Sequence, residues 1–287
     1  MKDNFLKRYL LPQKLVFYTL ALVIAFGLKY HYSHADSDDL VWILAPTASL
    51  VEMIMPVTFE LEKGQGFICS ENHIIIAPAC AGVNFMIISF CMLAFYGIYR
   101  LNYITEKFMW LFFSLAAAFV LTLVVNTVRI ILSINLYESG FSMGWFTPSR
   151  IHLAAGIFIY VSCLYIAYFT IRLILNKYQL NLMKKKTKET KTPMQPFEGK
   201  RNLSILIPLI WYWLIMLGVP LINGWYKKSI NLFGEYTAVV IIICSVICLA
   251  FFCFQLFYVK LIDKIASHKT NGIHTLVYPD NSDKLQS

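Results

Sequence analysis

Long apolar runs separated by short polar segments dominate the chain. Five of these runs are long enough to cross a hydrocarbon core about 30 Å thick, at roughly 20 residues per helix, and a sixth is shorter with polar flanks. The predicted spans are approximately 12–30, 82–99, 108–128, 152–173, 203–222 and 237–259. This pattern predicts an all-α integral membrane protein, a polytopic bundle of about six transmembrane helices.

The first span can be interpreted in two ways. Its apolar core, residues 15–28, follows three basic residues and precedes the small residues Ser33 and Ala35, as in a cleaved signal peptide. Because several spans follow it, we favour a retained helix. Lys29 would then extend its ammonium group to the membrane interface.

Charge predicts the orientation, because lysine and arginine accumulate in cytoplasmic loops. Residues 176–202 carry eight of them and are predicted to be cytoplasmic, whereas residues 31–79 carry seven acids and one lysine. Both termini then face the cytoplasm, and the membrane is an inner or plasma membrane. The net charge of +9 reflects this topology and contact with anionic lipid, and it does not imply nucleic acid.

The translocated segment between the first two spans carries its own structure. The apolar run 40–55 is interrupted by Pro46 and ended by Pro56, and counting it as a span would move the acidic residues to the cytoplasm. An extracytoplasmic interfacial or re-entrant helix fits better. Residues 57–67 and 73–76, around the Gly64-Gln65-Gly66 turn, predict a short hairpin on the membrane surface.

The chain divides at its lysine-rich connector. We predict a membrane core over residues 1–175, a basic cytoplasmic linker over 176–202, an additional helix pair over 203–259 and a mobile cytoplasmic tail over 260–287. The seven cysteines contain no CxxC pair, so no metal site and no cofactor are expected.

One cysteine lies where the outer segment enters the second span, in the sequence APACAGVNF at residues 77–85. Pro78 predicts a helix start, which places Cys80 in the first turn, where free backbone N–H groups and the helix dipole favour the nucleophilic thiolate. Ala81 and Gly82 leave room for a substrate backbone. Alternatively, Cys80 is a structural thiol or is disulfide-bonded to Cys69.

Two further polar groups are predicted at the same membrane face. Asn126, Arg129 and Ser133 share one side of the third span, where a cation needs a partner or a function. Arg129 is either an arginine that reaches lipid phosphate or a fixed cation beside the thiolate. His152 follows a predicted Thr147-Pro148 helix start, so it lies one turn into the fourth span. Cysteine, arginine and histidine together can form a thiolate acyl-enzyme.

At these residues the sequence resembles the exosortase/archaeosortase family of membrane cysteine transpeptidases. Residues 77–85 are most similar to the exosortase K branch, and WILAPT at 42–47 and GQGF at 64–67 extend the similarity to roughly residues 10–175. The resemblance implies that Cys80, Arg129 and His152 are the catalytic residues. Archaeal relatives use an arginine where this chain has His152, so Arg150 is a candidate auxiliary group.

The resemblance also implies the partners. The substrate is an exported protein whose C-terminal sorting signal combines a short motif, a transmembrane helix and a basic cluster, as in PEP-CTERM-type proteins. Cleavage loads the protein onto Cys80, and an unknown acceptor nucleophile at the cell surface receives it. We predict that Asn84, Asn126 and Arg150 contact this substrate. A transporter and a non-enzymatic assembly or anchoring protein are the alternative classes.

Overall fold

The computed structural model describes residues 2–69, 74–138, 147–190, 203–224, 227 and 230–274. Its helices are α1 (Lys2–His34), α2 (Val41–Glu52), α3 (Val83–Arg100), α4 (Ile104–Glu138), α5 (Pro148–Thr190), α6 (Ile207–Trp213), α7 (Val219–Ile222) and α8 (Ile230–His274). Short 3-10 helices cover Pro78–Cys80 and Leu203–Leu206, and a π-helical turn, Leu214–Gly218, joins α6 to α7. The described chain is therefore mostly helical.

Five helices are long and apolar enough to cross a membrane: Gln13–His34, Pro78–Arg100, Ile104–Leu136, Arg150–Met183 and Phe233–Gln255. Their number and apolar character are compatible with a multi-pass membrane protein. The predicted span 203–222 corresponds instead to a shorter apolar segment, Ile207–Ile222, in which helix types change twice. Pro208 and Pro220 lack the N–H that a regular helix requires, which accounts for part of this irregularity.

The α3 helix is the centre of the bundle. Over the 18-residue stretch that best fits a membrane span, 78% of α3 is buried inside the protein, against 17% of α1. The α3 helix packs mainly on α4 and α1. Through residues such as Met86 and Phe90, it belongs to an apolar cluster that also includes residues of α1, α2 and the sheet. It also packs on α5 and α6, and residues such as Ile88 and Met92 belong to a second apolar cluster that includes residues of those helices. An apolar residue on either face of α3 is therefore covered by protein.

The strands β1 (Glu60–Glu62), β2 (Gly66–Cys69) and β3 (Ile74–Ile76) form a small antiparallel sheet in the order β1-β2-β3. Gly64 and Gly66 have φ values of 78° and 115°, so the predicted turn is confirmed. The sheet has one strand more than the predicted hairpin, because residues 74–76 pair with the far side of β2. Residues 70–73, including the predicted strand residue His73, lie outside the described part.

Polar contacts at the end of the bundle away from the sheet fix the helix directions. The Lys14 ammonium donates to the Tyr99 carbonyl at 2.8 Å, which brings the first half of α1 to the last turn of α3. Arg100 donates to Asn176 and Gln179 of α5 at 2.6 and 3.1 Å. The helices α1, α3, α4 and α5 therefore run alternately toward and away from the sheet, which defines a sheet end of the bundle.

Two helices extend further than the sequence predicts. The α5 helix continues to Thr190, so the first part of the predicted linker 176–202 is helical, while residues 191–202 lie outside the described part. The α8 helix continues to His274, through the first half of the predicted tail 260–287. Lysine, glutamate and alanine are good helix formers, so a polar composition alone does not end a helix.

Candidate functional site around Cys80

Cys80 ends the short 3-10 helix that connects the sheet to α3. Its N–H donates to the Ala77 carbonyl at 2.7 Å, and the Ala81 N–H donates to the Pro78 carbonyl at 3.0 Å. The α3 helix begins only at Val83, after Gly82 at φ 72°. The predicted helix start at Pro78 is confirmed, and Cys80 lies in the first turn of the candidate span Pro78–Arg100, but this turn is a separate 3-10 helix that precedes α3. A left-handed residue cannot continue an α-helix, so Gly82 separates the two helical segments.

Gly82 has a second role that the sequence does not reveal. A Cβ atom built there would lie 3.1 Å from Thr122 Cγ2 and 3.2 Å from Asn126 Cγ, both on α4. The backbone beside Cys80 thus approaches α4 more closely than a side chain would allow. Glycine is required here by its φ angle and by helix packing, in addition to any room that it leaves for a substrate.

Asn126 holds the Cys80 turn. It is fully buried, and its Nδ2 donates a short hydrogen bond to the Cys80 carbonyl, while its Oδ1 accepts the Tyr160 hydroxyl at 2.8 Å. Both polar atoms of the amide are therefore hydrogen-bonded within the protein, and Asn126 fixes the backbone of Cys80. Its predicted contact with a substrate stays a prediction.

Arg129 lies one turn after Asn126 on α4 and belongs to the same network. Its Nη1 donates to the Tyr160 hydroxyl at 2.8 Å, and its Nε is buried without a hydrogen-bond partner. Within the described part of the chain, no carboxylate lies at ion-pair distance from it. Through Tyr160 and Asn126 the guanidinium is linked to the Cys80 carbonyl, and it interacts electrostatically with the thiol, so the predicted thiol and cation belong to one polar network.

His152 lies in the first turns of α5, which begins at Pro148 with the Thr147 hydroxyl accepting the Arg150 N–H at 3.4 Å. The predicted helix start is therefore confirmed. The imidazole is exposed and interacts electrostatically with Arg129. The structure thus brings Cys80, Arg129 and His152, from three separate segments, to one region at the sheet end.

The side of α5 that faces Arg129 follows a four-residue spacing. His152, Gly156 and Tyr160 lie on successive turns, and a Cβ built at Gly156 would lie 3.6 Å from Arg129 Cδ. Tyr160 also stacks on Phe85 of α3, with ring centroids 4.7 Å apart. We did not predict Tyr160, although its spacing from His152 was a signal in the sequence.

The end of α1 contributes two further residues that we did not predict in this role. The Lys29 ammonium donates to Asn84 Oδ1 at 2.8 Å, so the amide oxygen of that predicted substrate residue is already bonded. The Tyr32 hydroxyl donates to the Pro78 carbonyl at 3.4 Å and interacts electrostatically with Cys80 and Arg129. We call the 3-10 helix Pro78–Cys80 the cysteine turn. The contact of α1 with the cysteine turn has no local sequence signal, because the two segments are about 46 residues apart.

Arg150 has a partner within the protein, and its predicted contact with a substrate stays a prediction. It forms a short ion pair with Glu235 in α8, which ties the start of α5 to the start of the last helix.

Cys69 is buried in β2, and it is a free thiol, as are the other six cysteines. Among the described residues, no group of histidine, cysteine and acidic side chains could hold a metal ion.

The fold defines a helical bundle with several candidate membrane spans and one polar cluster at its sheet end. No protein-family model, curated protein or solved structure matches the chain.

Proposed function

We propose that the protein is an integral membrane cysteine protease and transpeptidase of the exosortase/archaeosortase type. The observation that carries this proposal is the half-buried Cys80 in one hydrogen-bonded network with Arg129, a cation with no carboxylate partner in the described part of the chain. A guanidinium removed from water is costly unless it meets an anion. A thiolate, and then the oxyanion of a tetrahedral intermediate, would provide that anion.

The proposed reaction assigns the nucleophile to Cys80, proton transfer to His152 and stabilisation of the oxyanion to Arg129. His152 takes the thiol proton, and the Cys80 sulfur attacks the scissile carbonyl, whose π electrons move to oxygen beside Arg129. When the C–N bond breaks, the leaving amine takes the proton from His152. The acceptor nucleophile then attacks the thioester and gives its proton to His152. The C–S bond breaks, and the proton passes from His152 to the Cys80 sulfur, which restores the thiol.

The membrane arrangement is part of the proposal. The predicted cytoplasmic stretch 176–202 begins in the part of α5 that binds Arg100, at the end away from the sheet. The positive-inside tendency then assigns the sheet end to the extracytoplasmic side of the inner or plasma membrane. In this orientation α2 and the three strands form an interfacial layer, and the catalytic cluster faces the exported substrate.

A sixth crossing by residues 203–222 completes this arrangement. The α5 helix ends away from the sheet, whereas the Arg150–Glu235 pair holds the start of α8 near the sheet end. The intervening chain must therefore return along the bundle, and its apolar segment Ile207–Ile222 packs on α3 and α5. The irregular helix types remain compatible with a crossing where the backbone is covered by protein.

The substrate class follows from the resemblance and fits this geometry. We propose an exported protein with a C-terminal signal of short motif, transmembrane helix and basic cluster. Its helix would lie in the bilayer beside the bundle, so that the bond next to the motif reaches Cys80 at the outer face. The final acceptor is a nucleophile at the cell surface.

Processing of a co-expressed membrane-tailed substrate tests the proposal. Cys80→Ala should abolish tail removal while the protein still inserts, because the sulfur contributes chemistry. Cys163, which lies on α5, is also a half-buried thiol. Cys163→Ala is therefore the matched control, and it should process the substrate normally. If Cys80→Ala removes the tail at the wild-type rate, the proposal of a cysteine protease that acts through Cys80 is wrong.

Two further changes distinguish the alternative classes. Arg129→Lys should reduce processing nearly as much as Cys80→Ala, because lysine cannot reproduce a planar donor that reaches Tyr160. Cys69→Ala should leave processing intact, whereas an anchoring protein stabilised by a disulfide would lose stability. A Cys80 thiol that reacts with a membrane-impermeant alkylating reagent without prior reduction also excludes that disulfide.

A further inference from the structure

Tyr32 is the only tyrosine of α1 with a described hydrogen bond to the cysteine turn. Its hydroxyl donates to the Pro78 carbonyl at 3.4 Å, two residues before Cys80. The side chain is half-buried and interacts electrostatically with both Cys80 and Arg129. The phenol therefore lies among the groups that the proposed reaction uses.

The hydrogen bond of Tyr32 is weak, and its acceptor does not depend on it. A separation of 3.4 Å is well beyond the usual 2.7–2.8 Å for a hydroxyl donor and an oxygen acceptor. The Pro78 carbonyl already accepts the Ala81 N–H at 3.0 Å. Tyr32 can therefore transfer its hydrogen bond elsewhere without leaving a buried carbonyl unpaired.

Tyr160 illustrates the opposite situation. Its hydroxyl donates to Asn126 at 2.8 Å and accepts from Arg129 at 2.8 Å, and the residue is buried. Both functions of that hydroxyl are in use, so Tyr160 is a positioning residue. Of these two phenols, only Tyr32 has a proton that a substrate oxygen could attract.

We propose that Tyr32 donates a hydrogen bond to the oxyanion formed at Cys80, beside Arg129. This inference rests on the proposed function. As the C–S bond forms and the carbonyl π electrons move to oxygen, the Tyr32 O–H turns from Pro78 to that oxygen. The proton stays on the phenol, and the bond is lost when the C–N bond breaks. A charged acceptor binds the phenol more strongly than a neutral carbonyl does.

The energetic reason is that one donor rarely satisfies an oxyanion. Preorganised sites usually provide two donors, and removal of one lowers the rate by about 10²–10³-fold. Lys29, one turn before Tyr32, lies 5.4 Å from the centre of the Tyr32 ring and donates to Asn84. These contacts join α1 to α3 and orient the phenol in advance, so that little reorganisation is needed during the reaction.

The test separates acyl transfer from thiol reactivity in the full-length protein, reconstituted in lipid nanodiscs. Tyr32→Phe should reduce the rate of substrate cleavage by about 10²-fold or more. Alkylation of Cys80 by iodoacetamide forms no oxyanion, so its rate should remain within about twofold of wild type. Tyr30→Phe, an exposed tyrosine two residues earlier on the same helix, should change neither rate.

Each other result overturns the inference. Equal losses of cleavage and alkylation would mean that Tyr32 acts by holding the Pro78 turn, which is a structural role. An unchanged cleavage rate in Tyr32→Phe would exclude any role in the reaction. These results differ from failure of the proposed function itself, in which Cys80→Ala would cleave the substrate as wild type does.

Discussion

Replacement of Asn126 by alanine is expected to destabilise the bundle and loosen the cysteine turn. Asn126 is fully buried, and it joins the Cys80 carbonyl to the Tyr160 hydroxyl. Alanine removes both hydrogen bonds at once. Tyr160 keeps its bond from Arg129, whereas no other described partner replaces the bond to the Cys80 carbonyl.

The magnitude follows from these two unequal losses. A buried polar group left without a partner costs about 1–3 kcal/mol. Side-chain hydrogen bonds between membrane helices contribute less, about 0.6 kcal/mol on average. One orphaned carbonyl and one weakened hydroxyl at Tyr160 then give a loss of about 2 kcal/mol in the free energy of unfolding, which is roughly a 30-fold change in the folding equilibrium.

Titration with a denaturing detergent from a mild-detergent solution measures this loss, and the alkylation rate of Cys80 reports the turn. Thr122→Val is the matched control, because Thr122 is equally buried one turn earlier and bonds only the Ala118 carbonyl of its own helix at 2.7 Å. The control should lose less than Asn126→Ala, because the Ala118 carbonyl lies within α4 and keeps its backbone hydrogen bond when the threonine hydroxyl is removed. If Asn126→Ala matches Thr122→Val in stability and Cys80 is alkylated at the wild-type rate, Asn126 does not hold the cysteine turn.

Glycine substitutions give the remaining predictions. Gly82→Ala should destabilise the protein more than Gly64→Ala, because both have positive φ but only Gly82 would place a Cβ against Thr122. Unfolding by denaturing detergent compares the two variants. Equal losses in the free energy of unfolding would mean that backbone strain alone accounts for the effect and that the contact with Thr122 contributes nothing. Gly97→Ala should cost about 1–3 kcal/mol, because its Cβ would overlap the Trp110 indole. A thermal-unfolding midpoint that does not fall would mean that α3 and α4 can separate freely.

The local part of the site could be predicted from the sequence. Helical spacing places Asn126 and Arg129 on one face of α4, and Thr147-Pro148 gives the start of α5. These signals extend over one or two turns, which is the range over which sequence patterns determine backbone geometry. The broad division into apolar helices follows from hydropathy in the same way.

The contacts between distant segments could not be predicted. Tyr32 reaches Pro78, and Tyr160 reaches Asn126, only because packing along α3 brings α1 and α5 to the same turn. Arg150 was predicted as an auxiliary group that contacts a substrate, and its ion pair with Glu235 of α8 has no local signal in the sequence. Long-range pairing of this kind depends on which helix faces meet, and apolar periodicity in a membrane helix leaves that choice open.

The hydrogen bonds around Cys80 make the proposed chemistry depend on assembly of the bundle. The chain of contacts runs from the Cys80 carbonyl to Asn126, then to Tyr160 and Arg129, and so crosses from the cysteine turn to α4 and α5. No single helix contains enough of these groups to orient the thiol and the cation. A substitution that separates α4 from α5 should therefore abolish reactivity before it prevents insertion, because the spans insert individually but the site forms only when they pack.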